Sequence, residues 1–141
     1  MKGKAVLQVW HAEVERNILC SNYKAFKTEF GQEKYITDLD IPDRIALSKY
    51  RCGSHKLPVA AERYSRQENY RPCRLCNSDE VGDEYHYVLV CPVLREVRER
   101  YLKPYYCGRP STLKFSQLFN VGSTKELKKL AKFVKHIMSL F

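Results

Sequence analysis

Apolar positions along this chain recur mostly at helical spacing, and short polar breaks cut them into segments. Val6, Val9, Trp10, Val14, Ile18 and Leu19 approximate a helical stripe, although the β-branched residues leave its first turns open to a strand reading. Tyr23, Phe26, Phe30 and Tyr35 give an aromatic face to a second short helix that stops near Gly31; at that spacing they suit either a core or a stacking surface. Asp40-Ile41-Pro42-Asp43 is a helix start, with proline near the first position and a carboxylate facing the helix dipole. It leads into Arg44–Arg51 and stops at Gly53. Ser54–Pro72 shows no sustained period and reads as an extended connector, with a short hairpin at its far end.

Further on, Asp83-Glu84 open a helix through Tyr85–Val90, which Pro92 breaks while seeding the next helix. That helix runs over 93–102 and turns Val93, Leu94, Val97 and Tyr101 inward. A short helix from Ser111 to Phe119 carries Leu113, Phe115, Leu118 and Phe119. Ser123-Thr-Lys-Glu126 is a capping box for the last helix. Leu127, Leu130, Ala131, Val134, Ile137, Met138 and Phe141 share one face, and Lys125, Lys128, Lys129, Lys132 and Lys135 fill the rest. Such a helix suits a phosphate backbone, a membrane surface, or closure of a core with its lysines in water.

Charge sharpens the choice of partner. The 141 residues carry a formal net charge of +9. Residues 1–42 are balanced, whereas 43–74 and 95–141 are strongly basic, and between them Asp79, Glu80, Asp83 and Glu84 stand without a Lys or Arg. Basic surfaces recruit polyanions by releasing condensed counterions, which favours nucleic acid over an anionic membrane. No apolar run follows Met1-Lys-Gly-Lys, and no stretch is long enough for a membrane span, so the expected location is intracellular, nuclear or cytoplasmic. In that compartment the six cysteines favour metal ligation over disulfides.

Cys73-x2-Cys76, followed by His86-x4-Cys91, carries the chemistry. A Cys-x2-Cys pair spans a tight turn that presents both sulfurs to one ion, and the His/Cys pair closes the tetrahedron. Cys3His is a ligand set of structural zinc, and four protein ligands leave no open position for a reacting water. Three other readings remain open: Cys52 and His55 completing the Cys73/Cys76 set, a Cys73–Cys91 disulfide after oxidation, and a catalytic ion on Cys73, Cys76 and His86 with Glu84 as general base. Cys20, Cys52 and Cys107 are left over as small buried hydrophobes.

The ordered series Tyr23-x2-Phe26-Lys27-x2-Phe30, Arg51-x3-His55-x-Leu57, Arg63-Tyr64, Arg71-Pro-Cys73-x2-Cys76 and His86-x4-Cys91-Pro92 resembles the C-terminal region of reverse transcriptases of invertebrate non-LTR retrotransposons. The resemblance covers residues 20–141 and is densest from Arg44 to Pro92. It implies a zinc-binding tail that follows the polymerase and helps hold template RNA or target DNA. Cys73, Cys76, His86 and Cys91 carry over as ligands, with Arg51, His55 and Arg63 as motif residues. Ala60-Ala61-Glu62 departs from the acidic residue and glycine expected ahead of Arg-Tyr. No Tyr-x-Asp-Asp motif or endonuclease carboxylate cluster is present, so no enzymatic activity is expected of this chain.

The expected fold is therefore mainly α, a small helical domain with a zinc knuckle and an irregular connector. It divides into an N-terminal helical segment (1–42), a zinc-binding region with its basic connector (43–110) and C-terminal helices (111–141), packed as one unit. The expected function is a zinc-stabilised nucleic-acid-binding module. Arg44, Lys49, Arg51, Lys56, Arg63, Arg66, Arg71 and Arg74 are its candidate phosphate contacts, and Tyr64 and Tyr70 its candidate stacking partners. The alternative is a zinc-held tail whose apolar C-terminal face docks on a polymerase domain or on a second copy.

Overall fold

Six α-helical segments order the residues that the computed structural model describes, 34–61 and 72–141. They are α1 (Lys34–Asp38), α2 (Ile41–Arg51), α3 (Pro58–Ala61), α4 (Arg95–Tyr101), α5 (Thr112–Phe119) and α6 (Thr124–Ser139). A π-helical turn at His86–Val90 and 3-10 turns at Pro92–Leu94 and Pro104–Tyr106 complete the set. This is a small, mainly helical domain, as the periodicity predicts. The expected helix over 6–19, and Cys20, Tyr23, Phe26 and Phe30, lie outside the described residues.

Local chemistry fixes the helix ends. Asp40 caps α2 by accepting from Asp43 N at 3.1 Å, and Pro42 occupies the first turn, where a missing N–H costs nothing. At the other end Gly53 adopts φ 75°, Ser54 N donates to Lys49 O (2.8 Å), and Gly53 N to Tyr50 O (3.4 Å). That is a Schellman closure, and it requires the left-handed conformation that glycine adopts most cheaply. Ser111 caps α5 through Lys114 N, and Ser123 caps α6 through Glu126 N. The Glu126 carboxylate lies 2.5 Å from Lys103 Nζ.

Helix α6 is the centre of the packing. Its stripe of Leu127, Leu130, Ala131, Val134 and Ile137 is buried, and it meets α1, α2, α4 and the π turn. Because α6 is covered on several sides, Phe133 is buried too, which widens the stripe beyond the sequence reading. Ala46, Leu47 and Tyr50 supply the facing surface of α2, and Lys135 pairs with Asp43 beside it. Tyr35 of α1 is also in this core.

Four details depart from the sequence reading. The connector after Ser54 contains α3, whose Val59 is buried and donates its N–H to Gly82 O at 3.1 Å. Pro92 opens a 3-10 turn before α4, and this tighter winding shifts the helical phase and leaves Val93 56% exposed. Leu113 is 64% exposed on α5. Cys52 is exposed and Cys107 half-buried, so neither is a buried hydrophobe.

Candidate metal centre

Cys73, Cys76, His86 and Cys91 converge, with all four ligand atoms within 4.8 Å of one another. The first pair sits on a short hairpin. Pro72 and Val81 form an antiparallel bridge, and Cys73 N donates to Glu80 O at 2.9 Å. Inside it Leu75 N donates to Cys73 Sγ (3.3 Å), Arg74 N donates to Tyr87 Oη (3.3 Å), and Asn77 takes φ 56°. Asparagine tolerates that left-handed position, which lets the chain reverse directly after the second cysteine.

The second pair depends on the π turn. In an α-helix five residues span about 1.4 turns, so His86 and Cys91 would point to opposite sides. Here Cys91 N donates to His86 O at 2.7 Å, an i→i+5 bond that closes five residues into one widened turn. Both ligands then face the hairpin. Asp83 starts this segment by accepting from His86 N at 2.9 Å. Cys73 Sγ lies 3.9 Å from Cys91 Sγ, and Cys76 Sγ lies 3.5 Å from His86 Nε2. The three thiols are free.

Arg98 of α4, which is 3% exposed, locks the turn from behind. Its Nε donates to Val88 O (2.6 Å), and one Nη2 reaches both Tyr87 O (3.1 Å) and Cys91 O (3.0 Å). These carbonyls end the π turn, where the helix itself supplies no donors. Burial lowers the Arg98 pKa below its ordinary value. A second brace comes from His55, whose Nδ1 accepts from Leu57 N (3.3 Å). Its Nε2 is therefore the protonated nitrogen, and it meets Glu84 Oε1 at 2.6 Å in a fully buried pair. Tyr50 Oη donates to Glu84 O at 2.7 Å. Burial, reinforced by the Glu84 and Asp83 charges, raises the Tyr50 pKa well above its usual value.

The thiols are electrostatically unequal. Burial works against ionisation of Cys76, but hydrogen bonds from Ser78, Cys73 and His86 outweigh it and lower the pKa to about 6. Cys91 is more enclosed, and burial together with the neighbouring Cys73 pushes its pKa up to about 12. A bound divalent cation reverses this penalty, because it supplies the local positive charge that the thiolates need. Glu80 Oε2 lies 3.0 Å from His86 Nδ1, which is buried without a hydrogen-bond partner.

This geometry decides between the ligand sets that the sequence left open. His55 is committed to Glu84 and Cys52 is exposed elsewhere, so neither joins Cys73 and Cys76. Glu84, held by His55, is not a free general base. The proposed phosphate contacts divide. Lys49, Lys56 and Arg74 are exposed, whereas the half-buried Arg44 donates to Leu39 O at 2.9 Å. Arg51 is a correction. It is 2% exposed, donates to Phe119 O at 2.8 Å, and lies over the Tyr35 and Phe119 rings at 5.2 and 5.8 Å. A cation at the C-terminal end of α5 is favoured there by the helix dipole, and it is out of reach of a phosphate. Arg63, Tyr64, Arg66, Tyr70 and Arg71 lie outside the described residues.

Sequence reasoning missed Arg98. The one available signal was its place one turn into the helix after Cys91-Pro92, within reach of the preceding carbonyls. No protein-family model, curated protein or solved structure matches this chain. Among the described residues, no helix is long and apolar enough to cross a membrane.

Proposed function

We propose that the chain is a zinc-stabilised nucleic-acid-binding module, non-catalytic by itself, that belongs to or derives from the reverse transcriptase of a non-LTR retrotransposon. The convergence of Cys73, Cys76, His86 and Cys91 carries this reading. Zinc with Zn–S near 2.3 Å and Zn–N near 2.0–2.1 Å places tetrahedral sulfurs about 3.8 Å apart, and sulfur about 3.6 Å from nitrogen. The corresponding separations are 3.9 and 3.5 Å. Four protein ligands fill the shell, so the ion holds the hairpin to the π turn and leaves no position for a substrate. The net charge of +9 and the ordered motif series support RNA or DNA, as template or target, for the partner.

The docking-tail alternative has less support, because the apolar face of α6 is already covered within the chain. The test is a titration of fluorescent structured RNA and duplex DNA at two salt concentrations, on zinc-loaded and on chelator-stripped protein. Zinc-dependent binding that falls steeply with salt supports the reading. Absence of binding at low salt by zinc-loaded protein overturns it.

A further inference from the structure

Four basic side chains meet at one cleft between α4 and the start of α6. The cleft has a volume of about 430 Å³, and Arg100, Lys103, Lys125 and Lys129 line it. Leu118 and Val121 give it apolar lining. Its two acidic residues are already engaged: Glu126 lies 2.5 Å from Lys103, and Glu99 Oε1 accepts from Arg95 at 3.3 Å. The Glu126 carboxylate raises the Lys103 pKa. Arg100, Lys125 and Lys129 are exposed and have no acidic partner among the described residues. Lys128 and Lys132 are also exposed on this helix.

Resting on the proposed function, we propose that this α4–α6 cleft is the surface that takes the phosphate backbone of a nucleic-acid strand. Charge complementarity selects a polyanion. The concave shape seats a phosphate and its sugar among three cations, and the lysines of α6 continue the track. Among the described residues of the 44–74 stretch, Arg51 is buried and Arg44 is tied to a backbone carbonyl, so neither offers its charge to a phosphate. The acidic loop of Asp79 and Glu80 repels phosphates from the metal centre itself, so the ion acts on binding only by holding the fold.

The experiment compares zinc-loaded full chains: wild type, the cleft triple R100Q/K125Q/K129Q, and the comparison triple K49Q/K56Q/R74Q, drawn from the sequence candidates. The probes are a fluorescent single-stranded RNA of about 20 nucleotides and a duplex DNA of equal length, between about 50 and 200 mM salt. All six residues are exposed, so zinc content and circular dichroism should match wild type; the three single cleft variants serve if they do not. The cleft triple should bind at least about tenfold more weakly at low salt. Its log–log salt slope should shrink by about 2 on RNA and about 3 on duplex, the loss of three phosphate contacts. The comparison triple removes sequence candidates for phosphate and should weaken binding as well, but by at least about threefold less than the cleft triple. If wild type binds and the cleft variants match it, or if the comparison triple loses as much as the cleft triple, the cleft assignment falls while the function stands. If wild type itself does not bind, the function reading falls and takes the cleft with it.

Discussion

Arg98 is the residue whose removal should cost most for a side chain that never touches the ion. Arg98→Met keeps the length and apolar stem of the side chain but strands three buried carbonyls, those of Tyr87, Val88 and Cys91. Hydrogen bonds to a charged donor contribute about 1.5–3 kcal/mol each, and removing one partner of a buried set leaves the other desolvated. Against this stands the cost of burying a guanidinium, visible in its lowered pKa, and one Nη2 is shared between two carbonyls. The net loss should be about 3–5 kcal/mol, a large part of a typical domain stability of about 5–15 kcal/mol. The released turn carries two of the four ligands, so metal affinity should also fall, by about 10–100-fold. Urea unfolding at fixed free zinc gives the first number, and competition with a chromophoric chelator gives the second. Arg98→Lys should recover less than half, because one ammonium cannot span three carbonyls. If Arg98→Met unfolds within about 1 kcal/mol of the parent and binds zinc within about twofold, the clamp is not what holds the turn.

Four further outcomes follow from the same geometry. Cys91→Ser should lose stoichiometric zinc in native mass spectrometry and expose the hairpin to proteolysis, since structural zinc contributes on the order of 10–16 kcal/mol; retained zinc would refute the ligand set. His55→Ala leaves the Glu84 carboxylate buried without its imidazole and should cost about 3–5 kcal/mol in chemical denaturation, and an unchanged midpoint would argue that the pair is dispensable. Gly82→Ala places a methyl 2.7 Å from Tyr87 Oη and 2.9 Å from Pro58 Cγ, so a destabilisation of about 1–3 kcal/mol is expected, and a neutral result would mean that the hairpin can shift freely. Arg51→Gln should lower the melting temperature while leaving the salt slope of nucleic-acid binding unchanged; a reduced slope would return Arg51 to the phosphate surface.

How far the residues foretold this arrangement depends on the range over which each interaction acts. The helix starts at Asp40 and Ser111 and the capping box at Ser123 were legible because such signals are settled within four residues. The Cys-x2-Cys and His-x4-Cys pairs were legible because each ligand pair is local. The π turn was not read, although the spacing held the clue: two ligands five apart cannot face one ion from an ordinary helix. Arg51, His55 and Arg98 were beyond reach for another reason. Charged side chains are seldom fully buried, and these find their partners 68, 29 and 7–11 residues away along the chain. Val93 was misplaced because it sits inside a 3-10 turn, whose tighter winding turns it outward, whereas Leu94, Val97 and Tyr101 still face the core.

The central place of α6 has a consequence for how the protein is made. Asp43 pairs with Lys135, 92 positions later, and the buried face of α2 is covered mainly by a helix synthesised after everything else in the core. Until that helix leaves the ribosome, the buried face of α2 lacks its main cover, and the ligand-bearing turn lacks one of its packing partners. The hairpin with Cys73 and Cys76 is complete long before then. On the nascent chain, the thiols therefore emerge ahead of the core that will enclose them, and a metal captured at that stage would act as the first fixed point around which the helices assemble.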